Sequence, residues 1–358
     1  MGWGRWAAAM AAVAGMAWGA SAAEFPLGVL VATARAGDPG ARFRLGRLFE
    51  TGEELPRDEV EAARWYRLAA EQGHAGAQYR LAVAYDTGLA GRQDSAEAAR
   101  WYRKAAEQGH VAAQFSLGVL WLTGEGVPAD PGRAKAWLER AARAGLAEAQ
   151  YRLGELLLRE PLAEGSEAGA AGWFEAAARQ GHGPAQYRLG ELYRAGRGVP
   201  RDPARARQWL ERAAEQGLPL AQYELGTRLL QADTGDSDVR AALFWYRQAA
   251  EQGLAQAQYR LALLYDRGIA VEEDFPEAAR WYLRAAHQGV PEAQLLVGFL
   301  YYTGSQVDRD YGAAEEWFRR AAAGLGGEAR EHALKGLAWA RERAAATPPS
   351  EPVGVARE

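Results

Sequence analysis

The chain has 358 residues, is 49% apolar, and carries 42 basic against 46 acidic residues for a net charge of −4. The charges are spread along the chain without a basic block, which excludes a nucleic-acid footprint. With no cysteine, disulfides and lipid attachment through cysteine are excluded, and stability must come from packing. The excess of arginine over lysine (only Lys104, Lys135 and Lys335) and the heavy use of alanine are those of a GC-rich, bacterial coding sequence.

Residues 1–23 read as a secretory signal peptide. Arg5 and the amino terminus give a positive start, Trp6 to Trp18 an apolar run, and Ala20 to Ala23 a small-residue cleavage region. An uncleaved anchor would need about 20 apolar residues, more than this run supplies. Residues 24–37 read as an N-terminal capping helix.

From residue 38 to 324 one unit recurs eight times with a period of 36. Tryptophan holds one phase at Trp65, Trp101, Trp137, Trp173, Trp209, Trp245, Trp281 and Trp317. An unbroken period of this length means stacked modules rather than one folded core. In each unit an alanine, as in Ala41 and Ala77, is followed four residues on by an apolar residue such as Leu45 or Leu81. Eight residues on stands an aromatic such as Phe49 or Tyr85. That spacing is one face of a first helix, helix A. A glycine such as Gly52 or Gly124 then supplies a left-handed cap.

Helix B starts at an aspartate in phase (Asp58, Asp94, Asp130, Asp202, Asp238, Asp274, Asp310, with Ser166 in the remaining unit), which predicts an N-cap rather than a carboxylate ladder. Glu61, Glu97 and Glu277 complete capping boxes. Pro131 and Pro203 fall at the first helical position. The tryptophan and its flanking alanines are read as the core of this helix. The series closes with a C-terminal capping helix over 325–343 and a disordered tail over 344–358.

The unit Ala-Glu-Gln-Gly-His-x-x-Ala-Gln-Tyr-x-Leu-Gly, then Thr-Gly-x-Gly-Val-Pro-x-Asp, then Ala-x-x-Trp-Tyr-x-x-Ala-Ala resembles the Sel-one-like repeat (SLR), a relative of the tetratricopeptide repeat. The resemblance implies an all-α fold, a right-handed α/α superhelical solenoid of eight 36-residue helix-turn-helix repeats with helices A on the concave side. It also implies an adaptor that binds a protein or peptide partner on that surface, as other members do in the bacterial envelope. Two other readings stay open. One is a penicillin-recognising or β-lactamase-like hydrolase, although the paired cysteines of that branch are missing. The other is an accessory protein of exopolysaccharide assembly.

The sequence offers no catalytic motif and no cofactor or metal site. His74, His110 and His182 share one phase, which places them about 10 Å apart on successive modules. That is too far to share one zinc ion. Most tryptophans are taken up by the repeat, so a sugar-stacking platform is poorly supported. The candidate partner-binding residues lie two and three positions after the alanine of helix A: Arg44, Tyr79, Arg80, Tyr151, Arg152, Tyr187, Arg188, Tyr259 and Arg260. Tyrosine and arginine dominate protein interfaces, and arginine matches carboxylates. The competing reading is that these rings pack within the repeat and these arginines pair within the chain. The expectation is therefore an exported, non-enzymatic scaffold, periplasmic or secreted, with no nucleic-acid partner. Partner identity and oligomeric state are not encoded in any motif.

Overall fold

The computed structural model describes residues 27–89, 91–159, 165–231 and 236–346. The signal segment, residues 24–26 of the expected leading cap and the chain beyond Ala346 lie outside these. So do most of the irregular loops before Gly165 and Asp236. Among the described residues there are eighteen helices and no strand. A leading helix, α1 (Leu27–Ala36), is followed by helix pairs. The first four are α2 (Pro39–Thr51) with α3 (Glu59–Glu71), α4 (Ala75–Thr87) with α5 (Ser95–Glu107), α6 (Val111–Thr123) with α7 (Pro131–Arg143), and α8 (Ala147–Arg159) with α9 (Ser166–Arg179). The next four are α10 (Gly183–Ala195) with α11 (Pro203–Glu215), α12 (Pro219–Gln231) with α13 (Asp236–Glu251), α14 (Ala255–Asp266) with α15 (Phe275–His287), and α16 (Pro291–Thr303) with α17 (Tyr311–Gly324). The closing helix α18 (Gly327–Ala346) runs three residues past the expected end of the cap.

These helices form two compact units. Unit 1 runs up to Ala185 and includes the loop Gly196–Pro200; unit 2 takes Gln186–Ala195 and the chain from Arg201 onward. Within each, every helix packs on its neighbours in sequence, the pattern of an α solenoid.

The start signals work as the sequence predicts in most repeats. Asp58, Asp94 and Asp202 each accept from two N–H groups of the first turn, and Asp130, Asp274 and Asp310 from one. The reciprocal arm of the capping box is replaced. The N–H groups of Asp58, Asp94 and Asp274 already donate to carbonyls of the preceding helix A at Phe49, Tyr85 and Tyr265. Glu61, Glu97 and Glu277 pair with the arginine three residues on instead. Two caps differ from expectation. Ser166 is the first residue of α9, behind Gly165, which has no side chain to offer. α13 starts two residues before Asp238, which places that aspartate inside the helix.

The tryptophans are not the deepest rings. Only Trp281 and Trp317 are buried; the other six are half-buried. The fully enclosed position is the next residue: Tyr66, Tyr102, Leu138, Phe174, Leu210, Tyr246, Tyr282 and Phe318. One residue is 100° of helix turn, so only one of two neighbours can point straight at helix A. At Gly46, Gly118, Gly154, Gly226 and Gly298 that residue enters a gap left by a glycine on helix A. A Cβ at Gly154 would stand 2.7 Å from the ring of Phe174. The tryptophan lies beside this seam with a cation across its face. Lys104 stands 4.0 Å from the Trp101 centroid, Arg140 4.4 Å from Trp137, Arg212 4.7 Å from Trp209 and Arg284 4.5 Å from Trp281.

A glutamine fastens one helix pair to the next. The buried Gln78 donates from Nε2 to the Ala70 carbonyl at 3.1 Å and accepts at Oε1 from Gln108 at 2.7 Å. Gln150 with Gln180 in unit 1, and Gln222 with Gln252 and Gln258 with Gln288 in unit 2, repeat both contacts. In these four repeats the glutamine phase, which recurs in seven of the eight units, is therefore a buried amide with both ends satisfied.

Candidate functional site

Helix A holds its inward face by the alanine and leucine phases, which are buried throughout. The residues two positions after the alanine sit at the margin of that face. Tyr79 is only 3% exposed, between the rings of Tyr102 at 5.8 Å and His110 at 4.7 Å. Burial, the largest cause, pushes its hydroxyl pKa up. Tyr151 is half-buried between Phe174 and His182, with centroids at 5.8 Å and 4.9 Å. Tyr187 and Tyr259 are half-buried, and Tyr259 leans on Tyr282 at 6.1 Å. Tyr151, Tyr187 and Tyr259 thus keep one side accessible, while Tyr79 is a packing ring.

The histidines that share a phase cap helices A. Nδ1 of His74, His110 and His182 accepts the N–H of Ala77, Ala113 and Ala185 at 3.1, 3.2 and 3.2 Å. Each ring also packs on the aromatic of the preceding helix A, Phe43, Tyr79 or Tyr151. Because Nδ1 accepts, the proton of the neutral ring sits on Nε2. Burial and then the Arg80 charge push His110 down to about 4. Burial also lowers His74.

Two arginines of the next phase, Arg80 and Arg152, are held by carboxylates. In unit 1, Arg80 reaches Glu50 on the preceding helix A at 3.0 Å, with its side chain only 10% exposed. The same carboxylate accepts the Tyr66 hydroxyl at 2.5 Å. Further along, Arg152 donates to Glu148 at 2.9 Å, and His182 Nε2 donates to the other oxygen of Glu148 at 2.8 Å. Burial raises the Glu148 carboxyl, yet the His182 hydrogen bond and the Arg152 charge outweigh it and hold it below the ordinary range. In unit 2, Glu191 binds Arg194 and Arg228, at 2.8 and 2.6 Å. Those two cations outweigh burial and lower its pKa. Arg188 is half-buried, while Arg44 and Arg260 are exposed. Tyr223 shares a hydrogen bond with Arg260.

Within each unit the side of helices A therefore presents half-buried arginine and carboxylate side chains interleaved with tyrosine edges. Chemically this is a surface of pre-placed donors and acceptors. No group of three histidine, aspartate or glutamate side chains is placed to hold a metal ion among the described residues. None of their helices is long and apolar enough to cross a membrane.

Each repeat matches the Sel1 repeat, at residues 39–74, 75–110, 111–146, 147–182, 183–218, 219–254, 255–290 and 291–324. The chain belongs to the Sel1 repeat family. Sel1 repeat proteins generally serve as scaffolds for protein–protein contact. A Sel1 repeat protein from Oxalobacter formigenes is similar, with 33% identity and a TM-score of 0.67 over 88% of this chain and 90% of that one. So is c5321, a protective antigen of uropathogenic Escherichia coli with an SLR fold. It has 27% identity and a TM-score of 0.57, over 92% of this chain and 83% of that one. Among curated proteins none matches the chain.

The acidic half of the face escaped the sequence reading. Glu148 lies four residues before Arg152, and Glu191 three before Arg194, spacings that place both partners on one helix side. That signal was available. The pairing of Glu50 with Arg80 spans 30 residues and needs the packing of successive Sel1 repeats to be seen.

Proposed function

We propose that this Sel1 repeat protein is an exported scaffold of the bacterial envelope that docks a protein or peptide along the side of helices A. The observation that carries the reading is the set of half-buried clusters around Glu50, Glu148 and Glu191. Their charged groups are already positioned by the repeat, which lowers the ordering cost of a partner. Tyr151, Tyr187 and Tyr259, with Arg44, Arg188 and Arg260, supply the accessible part of the face. Export is supported by the residue pattern of positions 1–23. N-terminal sequencing of the protein made in a bacterial host tests it: a start at residue 23 or 24 is expected, and an intact Met1 refutes export by this route.

The docking face is tested by photo-crosslinking in envelope extracts. A crosslinker replaces Tyr151 or Tyr259 in one set of variants, and Arg140 or Arg212 on helices B in another. The helix A positions are expected to capture one common partner and the helix B positions none. Capture from helices B alone would refute the face.

A further inference from the structure

In the third and fifth repeats the loop between helices A and B closes on the helix B before it. A Cβ at Gly126 would lie 2.0 Å from the carbonyl oxygen of Ser95, and one at Gly198 would lie 2.2 Å from that of Glu167. Only glycine permits such an approach. The equivalent pair in the seventh repeat is Ala270 and Val239. Ala270 keeps the left-handed backbone, with φ at 62°, yet carries the Cβ that forbids the contact. The loop stands off, and Val239 and Ala270 line an open cavity of about 850 Å³ inside unit 2.

Four charged side chains line the same cavity, and the phase of one of them, Arg240, is uncharged in every other repeat. Arg240 lines it from α13, where the other seven repeats carry Val60, Ala96, Gly132, Ala168, Ala204, Pro276 and Gly312. Arg267 lines it from the end of α14, in a phase that is threonine at Thr51, Thr87, Thr123 and Thr303 and arginine at Arg159. Glu272 and Glu273 line it from the loop, the first in a phase that is proline at Pro56, Pro128 and Pro200 and acidic at Glu164, Asp236 and Asp308. Among the described residues neither arginine has a carboxylate within ion-pair distance, although most arginines of helices B do. Two guanidinium groups and two carboxylates thus share one opening without neutralising each other. Its size falls in the range of ligand pockets.

We infer that this cavity is a recognition site for a short peptide segment bearing an acidic side chain close to a basic one. A guanidinium pair grips a carboxylate through parallel hydrogen bonds, while Glu272 and Glu273 accept from an ammonium or guanidinium group. The same two carboxylates repel a polyanion, which argues against phosphate or sulfated ligands. Val239, Ala270 and Val271 give the apolar floor. The site needs none of the residues of the helix A face, so either reading can fail without the other.

The test is fluorescence anisotropy with the full chain and labelled alanine-based pentapeptides. These carry one aspartate and one lysine separated by zero to three alanines, two aspartates, two lysines, or no charge. Saturable binding of at least one mixed-charge peptide is expected. Arg240→Ala and Arg267→Ala should each weaken it about tenfold, and the first restores the residue found in three other repeats. Glu272→Gln with Glu273→Gln should weaken the mixed peptide and tighten the two-aspartate peptide. Ala270→Gly touches no charge and lets the loop close as at Gly126, so it should also reduce binding. Retained helicity and melting temperature in each variant exclude misfolding. The inference is overturned if no peptide binds saturably or if the arginine variants bind as the parent does. It is also overturned if the two-aspartate peptide binds as tightly as the mixed ones.

Discussion

The two units solve the same junction differently. Where helix B hands over to the next helix A, unit 1 uses His74, His110 and His182 at three of its four junctions, each capping through Nδ1 and packing on an aromatic ring, with Leu146 at the other. Unit 2 puts Leu218, Leu254 and Val290 in that phase, and the side chains of Leu254 and Val290 make no cap bond. Its own histidines, His287 and His332, are exposed and stand elsewhere. An imidazole can lose its cap by gaining a proton and a leucine cannot. The seam of Tyr, Leu or Phe against helix A and the glutamine ties are common to both units. The contrast is therefore one of acid sensitivity laid over one shared packing scheme.

The largest expected effect tests the shared scheme. Phe174 in unit 1 and Phe318 in unit 2 are fully enclosed, each facing a glycine of helix A, Gly154 or Gly298. Phe174→Ala and Phe318→Ala should each cost about 3–5 kcal/mol. Amide hydrogen exchange should lose protection mainly in the unit that carries the change, because a stacked array unravels locally. Equal loss in both units for either variant would make them one cooperative block and dissolve the comparison.

Next in size is the response to acid. His110 titrates near 4 in the folded chain against about 6.5 when unfolded, so the unfolded chain binds more protons between those values. Its contribution is whole above about pH 6.5 and is lost as the pH falls toward 4, by about 3 kcal/mol. His74 acts in the same direction. The carboxylates Glu148 and Glu191, both lowered, add a loss only below about 4.5, in unit 1 and unit 2 alike. Between pH 6.5 and 4.5 unit 1 alone should lose protection, measured by hydrogen exchange corrected for intrinsic rates. Parallel loss in unit 2 over that window would remove the assigned role of the histidines.

The glutamine ties should behave alike in both units. Gln150→Ala and Gln258→Ala each remove one of two donors to the carbonyl of Ala142 or Ala250, which keeps the N–H of Gly145 or Gly253, and take the acceptor from Gln180 or Gln288, at a cost of about 0.5–1.5 kcal/mol. Urea unfolding of the two variants should give equal losses. A difference beyond error would show that one unit repairs the lost bond with water or a shifted partner.

The strict phases made most of this fold legible. Helix spacing, aspartate caps and the glycine after helix A follow from local backbone chemistry that the sequence states directly. Depth within the core was less legible. Trp65 and Tyr66 are both large and adjacent, and only the approach of Gly46 on helix A decides that Tyr66 goes inward. The candidate face was half legible. Arg80 and Arg152 were visible as a row, but whether an arginine is open to a partner depends on Glu50 and Glu148. One of these carboxylates is 30 residues away from its cation. Tyr79 shows the same limit: its phase matches the accessible Tyr151, and its burial is set by Tyr102 and His110.

The smallest expected effect sharpens the contrast most. His110→Leu turns a junction of unit 1 into the kind found at Leu254. At neutral pH the variant loses one cap bond, about 0.5–2 kcal/mol, and gains apolar contact with Tyr79, so the net change should stay within about 1 kcal/mol. Its value is in the slope. Hydrogen exchange around α5 and α6 should become flat from pH 6.5 to 4.5, while the junction at His74 keeps its acid response. If the slope at α5 and α6 survives His110→Leu, the acid response does not originate at His110, and Asp86 cannot supply it either, because a carboxyl raised by folding gains stability as the pH falls. Burial and then the Glu125 charge raise Asp86, and it lies against the buried Tyr102.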